Sequence, residues 1–203
     1  MNWFIQNWIE ITAVATGLAY IILSIKQNIW CWIFGIISSF LYLYVFFDSK
    51  IYADMSLQVY YVVMGVYGWI HWARLDSNNS GEKTELPVSR LTPKQWLILS
   101  AVTFILFVLI AQFLIYFTDS PVPWVDSFTT SLSFTATWML TRKIIEHWII
   151  WIIVDAVSIG LYYYRGLYPS IILFVVLTIL AVAGYIEWNK EWKKQHKLTK
   201  SLL

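Results

Sequence analysis

The sequence predicts an all-α membrane protein with seven transmembrane helices in a 3+1+3 plan, two three-helix repeats joined by one connecting helix. Three observations carry this prediction. Of the 203 residues 59% are hydrophobic and only 13% are charged, whereas about 25% are charged in soluble domains. Seven apolar segments, near 10–26, 29–48, 54–73, 95–117, 123–141, 147–165 and 168–188, each approach the ~20 residues of one helical crossing. The chain also repeats itself. Gly68-Trp69-Ile70-His71-Trp72 ends the third segment as Gly184-Tyr185-Ile186-Glu187-Trp188 ends the seventh, and Tyr52 answers Tyr168 at the same offset of 116. Tyr20 and Trp138, and Trp30 and Trp148, pair at an offset of 118. Four crossings separate the starts of the two copies, so they enter from the same side as parallel repeats, an architecture known among transporters. The expected organisation is a single membrane domain over 1–203, with repeats at 10–73 and 123–188, a connector at 95–117 and a basic cytoplasmic tail at 189–203.

The first segment lacks a basic leader and is followed at once by another span, so it reads as a membrane helix and not as a cleaved signal. The second opens on Cys31, the single cysteine of the chain, so no internal disulfide exists. In the third, Gln58 and Tyr61 are three apart and Gln58 and Gly65 seven apart, which places them along one stripe of a helix. A buried amide must find partners, which makes Gln58 and Tyr61 candidate binding residues. The one long connection, 74–94, carries Asp76-Ser77-Asn78-Asn79-Ser80-Gly81 with Pro87 and Pro93 and reads as a solvated linker. On the side of the N-terminus stand only Lys50 and Arg165, against 12 of the 14 basic residues on the other side. The positive-inside rule then puts the N-terminus outside and the C-terminus in the cytoplasm, where the Asn78-Asn79-Ser80 sequon cannot be glycosylated.

The sixth segment holds the residues with the most to explain. His147-Trp148-Ile149-Ile150-Trp151-Ile152-Ile153-Val154-Asp155 places Trp148, Trp151 and Asp155 at i, i+3 and i+7, one face of a helix. Tyr162 falls on the same face. An acid deep in a membrane helix costs about 2.5–3.5 kcal/mol on insertion scales and marks a functional path. A cation over an indole face gains roughly 0.5–2 kcal/mol, so two indoles and a carboxylate suit a small, flat, positively charged aromatic compound. No catalytic constellation stands beside it. The three histidines, His71, His147 and His196, fall near helix ends without metal-binding spacing, and the sequence has neither a phosphate-binding glycine loop nor a deep nucleophile with a base. An enzyme, a metal site and a cofactor are therefore not expected, and the basic tail reads as an anchor near anionic membrane lipid in place of a nucleic-acid surface.

Trp148-x-x-Trp151-x-x-x-Asp155, the Gly-Trp-Ile-x-Trp end of the third segment and the Tyr-Tyr-Tyr-Arg-Gly-Leu-Tyr run at 162–168 together resemble the PnuC family of bacterial vitamin transporters. The first matches that family's W-x-x-W-x-x-x-N/D signature in its Asp form, and the resemblance covers about residues 10–190. It implies a homotrimer of seven-helix protomers with a SWEET-like fold in the bacterial inner membrane, taking up nicotinamide riboside by facilitated diffusion. It also implies a functional link to a cytosolic kinase that traps the vitamin by phosphorylation. Thiamine, another cationic heteroaromatic vitamin, is the rival substrate within the family; an intramembrane enzyme is the alternative from outside it. The Pro-Gln pair of the sugar carriers has no counterpart here.

Overall fold

The computed structural model describes residues 8–48, 52–75, 86–164, 166 and 168–201. Over these the chain forms seven α-helices: α1 (Trp8–Ile25), α2 (Cys31–Asp48), α3 (Tyr52–Leu75), α4 (Pro93–Phe117), α5 (Pro123–Thr141), α6 (His147–Tyr164) and α7 (Tyr168–Ser201). Lys50, Arg165 and the 78–80 sequon lie outside the described residues. Each of the seven expected segments is helical, and the shortest helices have 18 residues, about 27 Å of rise. They are not equally apolar. Trp8–Ile25, Pro93–Phe117, His147–Tyr164 and Ser170–Lys197 are long and apolar enough to cross a membrane, while α2 offers a shorter apolar stretch, Cys31–Phe47. In α5 the apolar pattern is interrupted by buried Ser127, Ser131, Ser133, Thr135, Thr137 and Thr141.

The chain divides into two compact units, residues 1–86 and 87–203. In the first, α2 packs against both α1 and α3. Buried Ser38 donates from Oγ to the Ala13 carbonyl at 2.8 Å, tying α2 to α1. On the α3 side the Trp32 indole lies directly over Gly68, where an added Cβ would stand 2.4 Å from the ring. Trp32 also meets Trp72 edge to face, with centroids 5.3 Å apart at 83°. Glycine is what lets the backbone of α3 come that close.

In the second unit α6 packs against α5 and α7, and α4 against α5. The same lock recurs. An added Cβ at Gly184 would stand 2.5 Å from the Trp148 ring, and Trp148 meets Trp188 edge to face at 5.8 Å and 86°. The three pairs, 32 and 148, 68 and 184, 72 and 188, share one separation of 116. This corrects the register expected for the second helix of each repeat: the counterpart of Trp148 is Trp32, not Trp30. Trp30 precedes the first residue of α2 and is exposed, edge-on to Trp69 at 5.7 Å. By the same register Tyr20 answers Ala136 and not Trp138. The turns before α2 and α6 also match, each with one left-handed residue, Gln27 (φ 54) and Lys143 (φ 51).

Residues 87–92 correct the expectation of a solvated linker. Ser89 forms a parallel bridge with Ile144, its N–H donating to the Lys143 carbonyl and its carbonyl accepting from Ile145 N–H, both at 3.0 Å. The N–H of buried Val88 donates to Gln195 Oε1 and that of Leu91 to Glu146 Oε2, each at 3.2 Å. Arg90 donates to Asn189 Oδ1 at 2.6 Å and lies 4.5 Å over the Trp192 ring. An extended segment has backbone amides to satisfy, and here the α5–α6 turn and α7 satisfy them. Beyond residue 188, α7 stays helical through Ser201, and Asn189 and Gln195 on that extension hold the 87–92 segment. This segment leads into the N-cap of α4, where Thr92 and Gln95 bond reciprocally and Pro93 follows at N1.

Candidate functional site

The α6 face is set by how the helix begins. The Glu146 carbonyl accepts from the N–H groups of Ile149 and Ile150, while its carboxylate, itself buried, holds Leu91 N–H. A negative charge at this end also opposes the helix dipole favourably. His147 follows with no exposed surface. Its Nδ1 lies 2.6 Å from the Ile144 carbonyl, and its ring sits 4.5 Å from Trp148 and 4.8 Å from Trp188. His147 stands at the helix boundary as expected, the first residue of α6, but it is sealed inside an aromatic cluster and not solvated. His71, by contrast, stacks in parallel on Tyr67 at 5.7 Å, and His196 on Trp192 at 5.0 Å.

Trp148 is only 4% exposed, covered by Gly184, Trp188 and His147. Its Nε1 has no hydrogen-bond partner among the described residues, as is also true of Trp32 Nε1. Trp151, one turn on, is half-buried and packs against the cluster formed by Ala136 and Met139 of α5 with Ile144, Ile150 and Val154. Asp155 is 4% exposed. Its carboxylate makes no hydrogen bond or ion pair with any described residue. Ser158 below it is spoken for, its Oγ donating to the Val154 carbonyl at 2.9 Å. Tyr162 stacks on Phe174 of α7, centroids 5.3 Å apart at 25°. The structure thus brings Trp148, Trp151, Asp155 and Tyr162 together along α6 of the second unit. Gln58 and Tyr61 belong to α3 of the first, both half-buried, with Tyr61 tilted against Tyr60 at 6.0 Å.

Sequence reasoning passed over the hydroxyls of α5, which packs on α6. Ser133, Thr135 and Thr137 are buried and donate to carbonyls four residues back, and Thr135 also meets Thr103 of α4 at 2.7 Å. The signal was there, hydroxyl residues at nearly every second position from Ser127 to Thr137, but its period of two matches neither helix nor core. Such a surface is uncharged and rich in oxygen, and can face a polar solute without the cost of a buried charge. Among the described residues no group of three or more His, Cys, Asp or Glu side chains is placed to hold a metal ion.

Residues 7–190 match the family model described as nicotinamide mononucleotide transporter. The nicotinamide riboside transporter PnuC of Escherichia coli (strain K12) is 28% identical over 205 residues, covering 90% of this chain and 85% of that protein. The riboflavin/roseoflavin transporter RibM of Streptomyces davaonensis is 22% identical over 97% of this chain and 90% of its own length. A crystal structure of the vitamin B3 transporter PnuC superposes with a TM-score of 0.75 at 27% identity, covering 94% of this chain and 86% of that one. Matched over residues 7–190, and with seven helices among its described residues, the chain belongs to the nicotinamide mononucleotide transporter family of membrane proteins.

Proposed function

We propose that this protein carries nicotinamide riboside across the bacterial inner membrane by facilitated diffusion. The observation that carries the reading is Asp155, a nearly sealed carboxylate with no partner among the described residues, one turn from the half-buried Trp151 on an apolar helix. Such an acid is stabilised by a cation, and the indole by a flat one. A pyridinium riboside offers both, with hydroxyls in place of phosphate. The phosphorylated compound in the family's description suits the face less well, because phosphate recognition calls for Arg or Lys and α6 carries neither. Trp151, Asp155 and Tyr162 are the wall we assign to the substrate on α6, with the covered Trp148 on the same face of the helix, and Gln58 and Tyr61 are further substrate-binding residues on α3. A neutral flavin, the cargo named for the Streptomyces relative, gains nothing from the carboxylate.

The finer organisation belongs to the same proposal. Two three-helix repeats, 10–73 and 123–188, joined by the helix at 95–117 are supported by the Trp-Gly-Trp lock repeated at one separation. The basic residues support an outer N-terminus and a cytoplasmic C-terminus. A homotrimer and trapping by a cytosolic kinase complete the reading; the kinase product is a dianion that the α6 face repels. One deep acid on α6, and no proline beyond the first turns of the helices, argue for a passive carrier. In liposomes holding the purified protein, labelled riboside is expected to equilibrate to equal concentrations, with or without a proton or sodium gradient. Accumulation above the outside concentration sinks the passive mechanism, and thermal stabilisation by thiamine but not by riboside sinks the substrate.

A further inference from the structure

The two units provide an internal control for the α6 face. Trp32 and Trp148 do the same thing: each indole covers a glycine of the third helix in its unit, meets a second tryptophan edge to face, is at most 4% exposed and leaves its N–H without a partner. The rest of the face differs. Three residues past Trp32 stands Gly35, its space taken by Tyr20 of α1, whose Cδ2 would be 2.9 Å from an added Cβ. Three residues past Trp148 stands Trp151, packed against the cluster that includes Ala136, the counterpart of Tyr20. Seven residues past, Ser39 answers Asp155. The first tryptophan therefore persists where the indole and acid after it are absent.

We propose that Trp148 is a positioning residue, whose indole locks α6 to α7 over Gly184 and thereby fixes the angle at which Trp151 and Asp155 meet the substrate, without touching the substrate itself. This rests on the substrate assignment above and divides the α6 face into a lock, Trp148, and a contact surface, Trp151 and Asp155. An unused buried N–H lowers stability, so the indole is kept at this position for its shape. Shape is also what a complementary change can restore: the smaller ring of Phe at 148 leaves the room that a methyl group at 184 fills.

The test uses the full-length chain purified in detergent, with thermal midpoints measured without ligand and over a nicotinamide riboside titration. Gly184→Ala alone is expected to lower the unliganded midpoint, since its Cβ meets the Trp148 ring. Trp148→Phe combined with Gly184→Ala is expected to regain at least half of that loss and to bind riboside within about threefold of the unmodified protein, the coupling expected of residues in contact. Trp151→Ala, with the lock intact, is expected to weaken binding by about 5- to 30-fold, and the packing it loses against α5 lowers its own unliganded midpoint without bearing on the Trp148–Gly184 comparison. If Trp148→Phe weakens binding as much as Trp151→Ala, and Gly184→Ala does not restore it, Trp148 is a contact and the proposal falls. If riboside fails to stabilise even the unmodified protein, the substrate assignment falls instead, and the unliganded midpoints still decide the lock: a double variant no more stable than Gly184→Ala alone overturns it.

Discussion

The first unit and the second are two solutions to one packing problem. Both close a middle helix onto the next with tryptophan over glycine, at Trp32 and Gly68 and at Trp148 and Gly184. Both need one large ring and one small residue where the middle helix meets the helix before it, and they choose opposite sides. Tyr20 on α1 covers Gly35 on α2, whereas Trp151 on α6 packs against the cluster that includes Ala136 on α5. The ring changes helix between the two units. The consequence is chemical, because in the second unit the ring shares a helix with Asp155 and in the first the acid's counterpart is Ser39. Packing explains what the units share, and the exchange explains why only the second carries an indole and a carboxylate on one face.

The largest effect expected from breaking this comparison is at the shared lock. Valine at Gly68 or at Gly184 should each cost about 3 kcal/mol, the upper end for overpacking, and the two losses should agree when thermal midpoints are compared. A much milder loss at Gly68 would show that the two locks are not equivalent. Next comes the feature only the second unit has. Trp151→Ala should weaken riboside binding by about 1–2 kcal/mol, while Trp96→Ala, at a position 43% exposed on α4, should leave binding unchanged; a titration by thermal shift or calorimetry reads both.

Smaller effects sharpen the contrast between the turns. The α5–α6 turn is tied to the 87–92 segment through Glu146. Glu146→Ala should cost about 1 kcal/mol, the net value of one partly exposed hydrogen bond, and should speed hydrogen exchange at the Leu91 amide, with Glu146→Gln nearly neutral. Unchanged exchange at Leu91 would show the carboxylate to be dispensable. Smallest of all should be Thr103→Ala, which removes the hydroxyl contact to Thr135. Hydrogen bonds between membrane helices average about 0.6 kcal/mol, so the midpoint should fall slightly and binding not at all.

The sequence by itself determined the seven helices and placed Trp148, Trp151, Asp155 and Tyr162 on one side of α6, because length, apolar content and helical period are local quantities that a chain displays residue by residue. It also showed the repeat at Gly68 and Gly184, where the five-residue words share Gly, Ile and Trp at the same positions. Only the tertiary structure decided that Trp32, and not Trp30, answers Trp148, because that equivalence is defined by which glycine on another helix receives the indole. Only it showed that His147 is sealed between two indoles, and that residues 87–92 are pinned to the α5–α6 turn and to α7. A segment rich in turn residues reads as solvated when nothing local can satisfy its amides, and here Lys143, Glu146 and Gln195 satisfy them from about 50 to 110 positions away. The exchange of ring and small residue between Tyr20–Gly35 and Trp151–Ala136 was likewise beyond the linear pattern, since which helix supplies the ring at a contact is a property of the pair and of neither residue alone.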